Sequence, residues 1–183
     1  MFQYDNEKEK QLKEDNAIKD YLNQKDDKGN TRWWNFTSKV GRDSELITKH
    51  FLEVAYPRYT VKYIADSNIS WDLEIRYKDN PYLEPCRVDV KHSTSWLNVN
   101  INFKPEAVKY SQADIFIFHC DKVPSGENQY LIIEIEALKN CPENIKDYKV
   151  NPAGQQYVQV KYKDMKKFCE DNNYQFIYRS VRF

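Results

Sequence analysis

The sequence predicts an α/β domain in which helices pack on a mixed β-sheet. Three observations lead there. A segment with helical apolar spacing, Ser38 to Tyr56, is followed by three segments rich in β-branched and aromatic residues. Ala113–Cys120 is an almost continuous apolar run, the pattern of a strand covered on both faces. The chain has 183 residues and 15% aromatics, enough for a packed core and of a length that suits one domain.

The elements follow in order. Asp5 to Lys28 is charged, with Leu12, Ile18, Tyr21 and Leu22 near helical spacing, so residues 1–30 read as an N-terminal charged helix. Either it is a solvated helix packed by one stripe or it is a dimer arm. Gly29-Asn30 ends it, and residues 31–183 form a single domain. The next helix has Thr37 or Ser38 as its cap, Leu46, Ile47, Phe51, Leu52 and Ala55 as its apolar stripe, and Pro57 as its stop. Strands are expected over Thr60–Ala65, Ser70–Tyr77 and Cys86–Lys91, with a turn at Asp79-Asn80-Pro81. A short helix opens at Pro105. Strands over 113–120, 130–137 and 156–162, a helix over 164–171 and a strand over 174–183 complete the chain.

Composition excludes some functions. Lys plus Arg and Asp plus Glu are 28 each, so binding to nucleic acid by bulk positive charge is ruled out, though local phosphate contacts are not. The N-terminal thirty residues carry eight acids and six lysines, whereas 139–167 carry seven lysines and three acids. That lysine-rich stretch suits phosphate contact or a solvated face equally. No run approaches the ~20 apolar residues of a membrane span, and Met1 to Gln11 lacks the apolar core of a signal peptide. Cys86, Cys120, Cys141 and Cys169 form no CxxC pair and read as reduced, mostly buried thiols of a cytoplasmic protein.

The chemistry concentrates on two strands. Side chains alternate along a strand. Arg87, Asp89 and Lys91 therefore share one face and Val88 and Val90 the other. Asp72 and Glu74 face away from Trp71, Leu73 and Ile75. If the strands pair, Asp72, Asp89 and Lys91 converge at one sheet edge. Two carboxylates suit a divalent cation such as Mg²⁺, and an adjacent ammonium can position water or stabilise charge on a reacting phosphate. The acid–any–Lys triplet alone is weak. About three are expected by chance, and four occur, at Asp26, Asp89, Asp147 and Asp164. Only the Asp89 triplet lies on a convincing alternating strand with another strand-borne Asp upstream.

Glu45 on a helix, Asp72 opening a strand and Asp89-Val90-Lys91 on the next resemble the PD-(D/E)XK nuclease superfamily, the restriction-endonuclease-like fold. Gly41-Arg42-Asp43-Ser44-Glu45 resembles its Gly-x-x-x-Glu helix, and the order helix, three strands, helix, strand matches from about Ser38 to Asp121. The match leaves out the N-terminal helix and about sixty C-terminal residues, which form extra strands. Trp71 stands where the family often has Pro, and Asp89 where Glu is commoner. The resemblance implies that Asp72, Asp89, the Val90 carbonyl and, often through water, Glu45 hold Mg²⁺, with Mn²⁺ able to substitute, and that Lys91 assists the attacking water. It implies cleavage of nucleic acid, DNA favoured over RNA, by a restriction-type or a repair or junction-type endonuclease, and is consistent with a homodimer. His92, Ser93 and Thr94 are candidate phosphate contacts, with structural or turn roles as the alternative. Trp33-Trp34 stacks on a base or packs the first helix. His50 and His119 have no evident partner in the sequence. The rival expectation is a catalytically silent protein of this fold that binds nucleic acid or a partner protein in an immunity, inhibitor or regulatory role.

Overall fold

The computed structural model describes residues 20, 23–30, 32–64 and 71–182. Most of the expected N-terminal helix lies outside them, as do Ala65 and Ser70, and Trp33 and Trp34 are described in backbone only. Helix α1 spans Arg32–Ala55. It starts upstream of Thr37 and Ser38, so neither caps it; no Gly or Pro between Arg32 and Ser38 halts propagation.

Strands β1 (Tyr59–Tyr63), β2 (Leu73–Tyr77) and β3 (Cys86–His92) form an antiparallel meander. The chain then makes β4 (Asn100–Phe103) and α2 (Pro105–Tyr110) before β5 (Ile115–Cys120), which pairs parallel to β3. β6 (Asn128–Glu134) follows, and α3 (Ile135–Lys139) begins where the expected strand over 130–137 would have continued. Ile135, Ala137 and Leu138 are buried in the helix, and so short an apolar run fits either period. β7 (Lys146–Val150), β8 (Gln156–Lys161), α4 (Tyr162–Asp171) and β9 (Phe176–Val181) complete the fold.

The strands make two sheets. The larger has the order β1-β2-β3-β5-β6-β9 and is mixed; the smaller has the order β4-β8-β7 and is antiparallel. Every residue of β5 is buried, because the strand is central and both of its faces are covered. On one face Phe51 and Leu52 of α1 pack over Leu73, Val88, Val90 and Ile117, and the Phe51 ring stacks 3.9 Å from that of Tyr130. On the other, Phe116, Phe118, Leu131 and Ile133 meet Ile101, Phe103, Val158 and Val160 of the small sheet and Met165 of α4. The Leu97 N–H donates to Gln129 Oε1 at 2.7 Å inside the protein, which fastens the loop after β3 to β6. The four cysteines are free and all but Cys86 are buried. Among the described residues no helix is long and apolar enough to cross a membrane.

Candidate active site

The register of β2 on β3 pairs Leu73 with Val88, and the side chain of Asp72, the residue just before β2, is hydrogen-bonded with that of Asp89. The Asp72 N–H donates to the Val88 carbonyl at 2.8 Å, and the Val90 N–H donates to Asp72 Oδ2 at 2.7 Å. The Asp72 carboxylate thus takes the place of a ladder carbonyl where β2 begins. In an extended strand a residue's C=O points the same way as its N–H. The Val90 carbonyl is therefore directed toward Asp72 as well.

Lys91 lies two residues beyond Asp89 on the same face, with Nζ 2.5 Å from Asp89 Oδ1 and 5.4 Å from the centroid of the Phe116 ring. Asp89 is 7% exposed, and the Lys91 side chain is 36% exposed. The acid is inside and its cation reaches solvent. Glu45 arrives from α1, where its Oε2 accepts a 2.9 Å hydrogen bond from the Tyr63 hydroxyl. Tyr63 is opposite Leu73, so this bond draws Glu45 to the end of the sheet where Asp72 stands.

Burial pushes the Asp89 carboxyl up to about 7, against the attraction of Lys91 and with the negative charge of Asp72 and a hydrogen bond shared with Asp72 adding to the rise. Burial, then the charge of Asp72, also holds Glu45 above the ordinary carboxylate range. The charge of Asp72 thus bears on both Asp89 and Glu45 beside one lysine, an arrangement that a cation would relieve. Among the described residues, however, no group of three or more His, Cys, Asp or Glu side chains is gathered so that it could hold a metal ion.

One facing is reversed from the sequence expectation. Trp71 packs against the core on the Phe116 face, not with Leu73, and its Nε1–H donates to Glu74 Oε1 at 3.3 Å. It precedes the first residue of β2, where alternation does not yet hold. The Arg87 guanidinium lies 5.4 Å above the Trp71 ring and pairs with Asp114 at 3.2 Å, walling an open pocket of about 670 Å³ that Asp72 and Asp89 do not line.

Of the other candidates, His92 lies on the face opposite Lys91, and its Nε2 is 3.1 Å from Asp121 Oδ1. Ser93 is 3% exposed; its N–H donates to the His119 carbonyl at 2.7 Å and its hydroxyl to the Ser95 carbonyl at 2.8 Å. Thr94 is exposed. His119 has partners that its sequence context did not reveal. Burial lowers its pKa; its Nε2 lies 2.8 Å from Asn128 Oδ1 and its Nδ1 3.0 Å from the Ser44 hydroxyl. Ser44 is next to Glu45 on α1, so this buried link sets the helix on the sheet and with it the height of Glu45. A separation of 75 residues hides such a pair from local pattern.

Comparison of the sequence with protein-family models finds no match, and comparison with curated proteins finds none either.

Proposed function

We propose that the protein is a metal-dependent endonuclease of the PD-(D/E)XK type, hydrolysing phosphodiester bonds in nucleic acid, DNA in preference to RNA. The observation that carries this reading is the meeting of the Asp72 and Asp89 side chains, with Lys91 bonded to Asp89. The order of elements feeding the large sheet, helix, three strands, helix, strand, supports the restriction-endonuclease-like fold.

A hard cation would take carboxylate oxygens from Asp72 and Asp89, with the Val90 carbonyl and, through water, Glu45 as further donors. Bound Mg²⁺ or Mn²⁺ supplies Lewis-acid polarisation of the phosphate and a more acidic water. The chain's own contribution lies in Lys91. Its ammonium, tethered by Asp89 and half in solvent, can hold the attacking water or the charge that grows on the phosphate oxygens. Tyr63 and the Ser44–His119 bond position Glu45. The free thiols suit the cytoplasm. Cleavage leaving a 5′-phosphate and action as a homodimer belong to the same reading.

A second reading, a silent nuclease-fold binding protein, is favoured by one observation: the Asp72 and Asp89 carboxylates are already engaged by the Val90 N–H and Lys91. A cleavage assay with Mn²⁺ or Mg²⁺ on duplex and single-stranded DNA and RNA decides between them. Wild type should cut and Lys91→Ala should not. Cleavage that survives both Lys91→Ala and Asp89→Ala would overturn the proposed site. Nucleic-acid binding without cleavage would establish the second reading.

A further inference from the structure

The small sheet turns one face to its core and one outward. Ile101 and Phe103 of β4 and Val158 and Val160 of β8 point inward. The alternate residues, Asn100 and Asn102 on β4 and Tyr157, Gln159 and Lys161 on β8, therefore point outward. Asp147 and Lys149 of β7 share that face by register with Gln159 and Tyr157.

These polar side chains are linked in series. Gln159 Nε2–H donates to Asn102 Oδ1 at 3.1 Å, and Asn102 Nδ2–H donates to Ser95 Oγ at 2.9 Å. The Ser95 N–H donates to Ser93 Oγ at 3.2 Å. Ser93 is two residues past Lys91 and is bonded to β5 through the His119 carbonyl. A hydrogen-bonded ladder thus runs from the end of the strand that carries Lys91 to an outward amide on the small sheet.

The ladder uses only part of the capacity of Gln159. A primary amide has two donors and a carbonyl acceptor, and one donor is engaged. The second N–H and Oε1 form an outward donor–acceptor pair, fixed in direction by Asn102. Such a pair matches the N6 and N7 positions of adenine. Lys161, exposed and two residues along β8, forms no ion pair among the described residues and leaves a positive charge beside the amide.

We infer that the outward face of the small sheet is a base-reading surface for the nucleic-acid substrate, with Gln159 contacting an adenine edge, Lys161 contacting phosphate, and Asn102 and Ser95 as positioning residues. The inference rests on the nuclease reading and deepens it by naming how substrate sequence is selected.

The test is sequencing of cleavage products from short duplex DNA with a randomised central segment, in Mn²⁺, for wild type, Gln159→Leu and Ser95→Ala, with thermal melts to check folding. Wild type should prefer adenine at one position near the cut by about tenfold or more. Gln159→Leu should level that position. Ser95→Ala, which removes the base of the ladder, should level it partly. Binding of uncut duplex in Ca²⁺ gives the second readout, in which Lys161→Ala should weaken binding alike for all sequences and flatten its salt dependence. If wild type and Gln159→Leu cut with the same sequence preference, the base-reading surface is refuted and the nuclease reading stands. If folded wild type neither cuts nor binds any duplex, both fall.

Discussion

Asp89→Asn should stabilise the protein at alkaline pH while abolishing cleavage. Asp89 is 7% exposed and its carboxyl is pushed from an ordinary 3.8 up to about 7, first by burial. The unfolded chain loses this proton near pH 4 and the folded chain near pH 7. Between those values the folded state holds more protons, so stability falls as pH rises through the window and levels off above it. About three units at about 1.4 kcal/mol each set a ceiling of about 4 kcal/mol. Relaxation around a buried acid lowers that, and about 2 kcal/mol is the expected size. Asn keeps the shape and carries no charge, and Lys91, being partly exposed, is rehydrated when its partner is neutral. For a chain of this length about 2 kcal/mol corresponds to about 4–8 °C in melting temperature. The assay is thermal or urea unfolding of wild type and variant in EDTA at pH 5 and pH 8. The variant should gain most at pH 8 and less at pH 5, where the unfolded chain has already lost the proton but the folded chain keeps it. A wild type that becomes more stable between pH 5 and pH 8, or a variant less stable than wild type at pH 8, would refute the reasoning.

Three further outcomes are expected. Lys91→Met removes the cation beside a buried acid and should destabilise by about 2–3 kcal/mol at pH 8 but little at pH 5, where Asp89 is neutral; urea unfolding at both values checks this. Gln129→Leu leaves the Leu97 N–H without its partner and should cost about 1–3 kcal/mol, measured by urea unfolding, with faster hydrogen exchange at Leu97. Burial pushes the thiols of Cys86 and Cys141 up to about 11 and that of Cys169 up to about 12. At pH 8 a disulfide reagent should therefore titrate these three thiols slowly in the folded protein and rapidly in urea.

Asp89 and Lys91 were legible because a strand has a period of two, which puts them on one face; Asp72 reaches Asp89 from just before β2. The same rule misplaced Trp71, because it was applied one turn of chain too early, before β2 begins. The helix α1 was legible from its apolar stripe but not at its start, since propagation upstream of Ser38 needs no cap. Strands β4 and β7 were not legible at all. Asn100–Phe103 is four residues long and Lys146–Val150 is mostly charged. Each is a strand because β8 lies between them and supplies the ladder, which is a tertiary cause. The partners of His119 were hidden for a like reason, as the fold alone brings β5 under Ser44.

Asp147 and Lys149 show what the sequence spacing is worth without its surroundings. They too are an acid and a lysine two apart on a strand, and they too form an ion pair, at 2.6 Å against 2.5 Å for Asp89 and Lys91. The local geometry is the same. The side chain of Asp147 is 60% exposed, whereas that of Asp89 is 10% exposed. Water screens the first pair, which therefore adds little to stability. The second pair has the Asp72 side chain bonded to Asp89 and Phe116 beneath it, and Glu45 is held nearby by Tyr63. Its charge is costly to keep, and a cation is the ligand that would lower that cost. The discriminating property is therefore the position of β3 inside a covered sheet, with β2 beginning beside it so that the Asp72 side chain, not another backbone carbonyl, meets Val90. An acid–any–Lys triplet becomes a candidate catalytic group where the sheet takes away its water and a neighbouring strand adds a second acid.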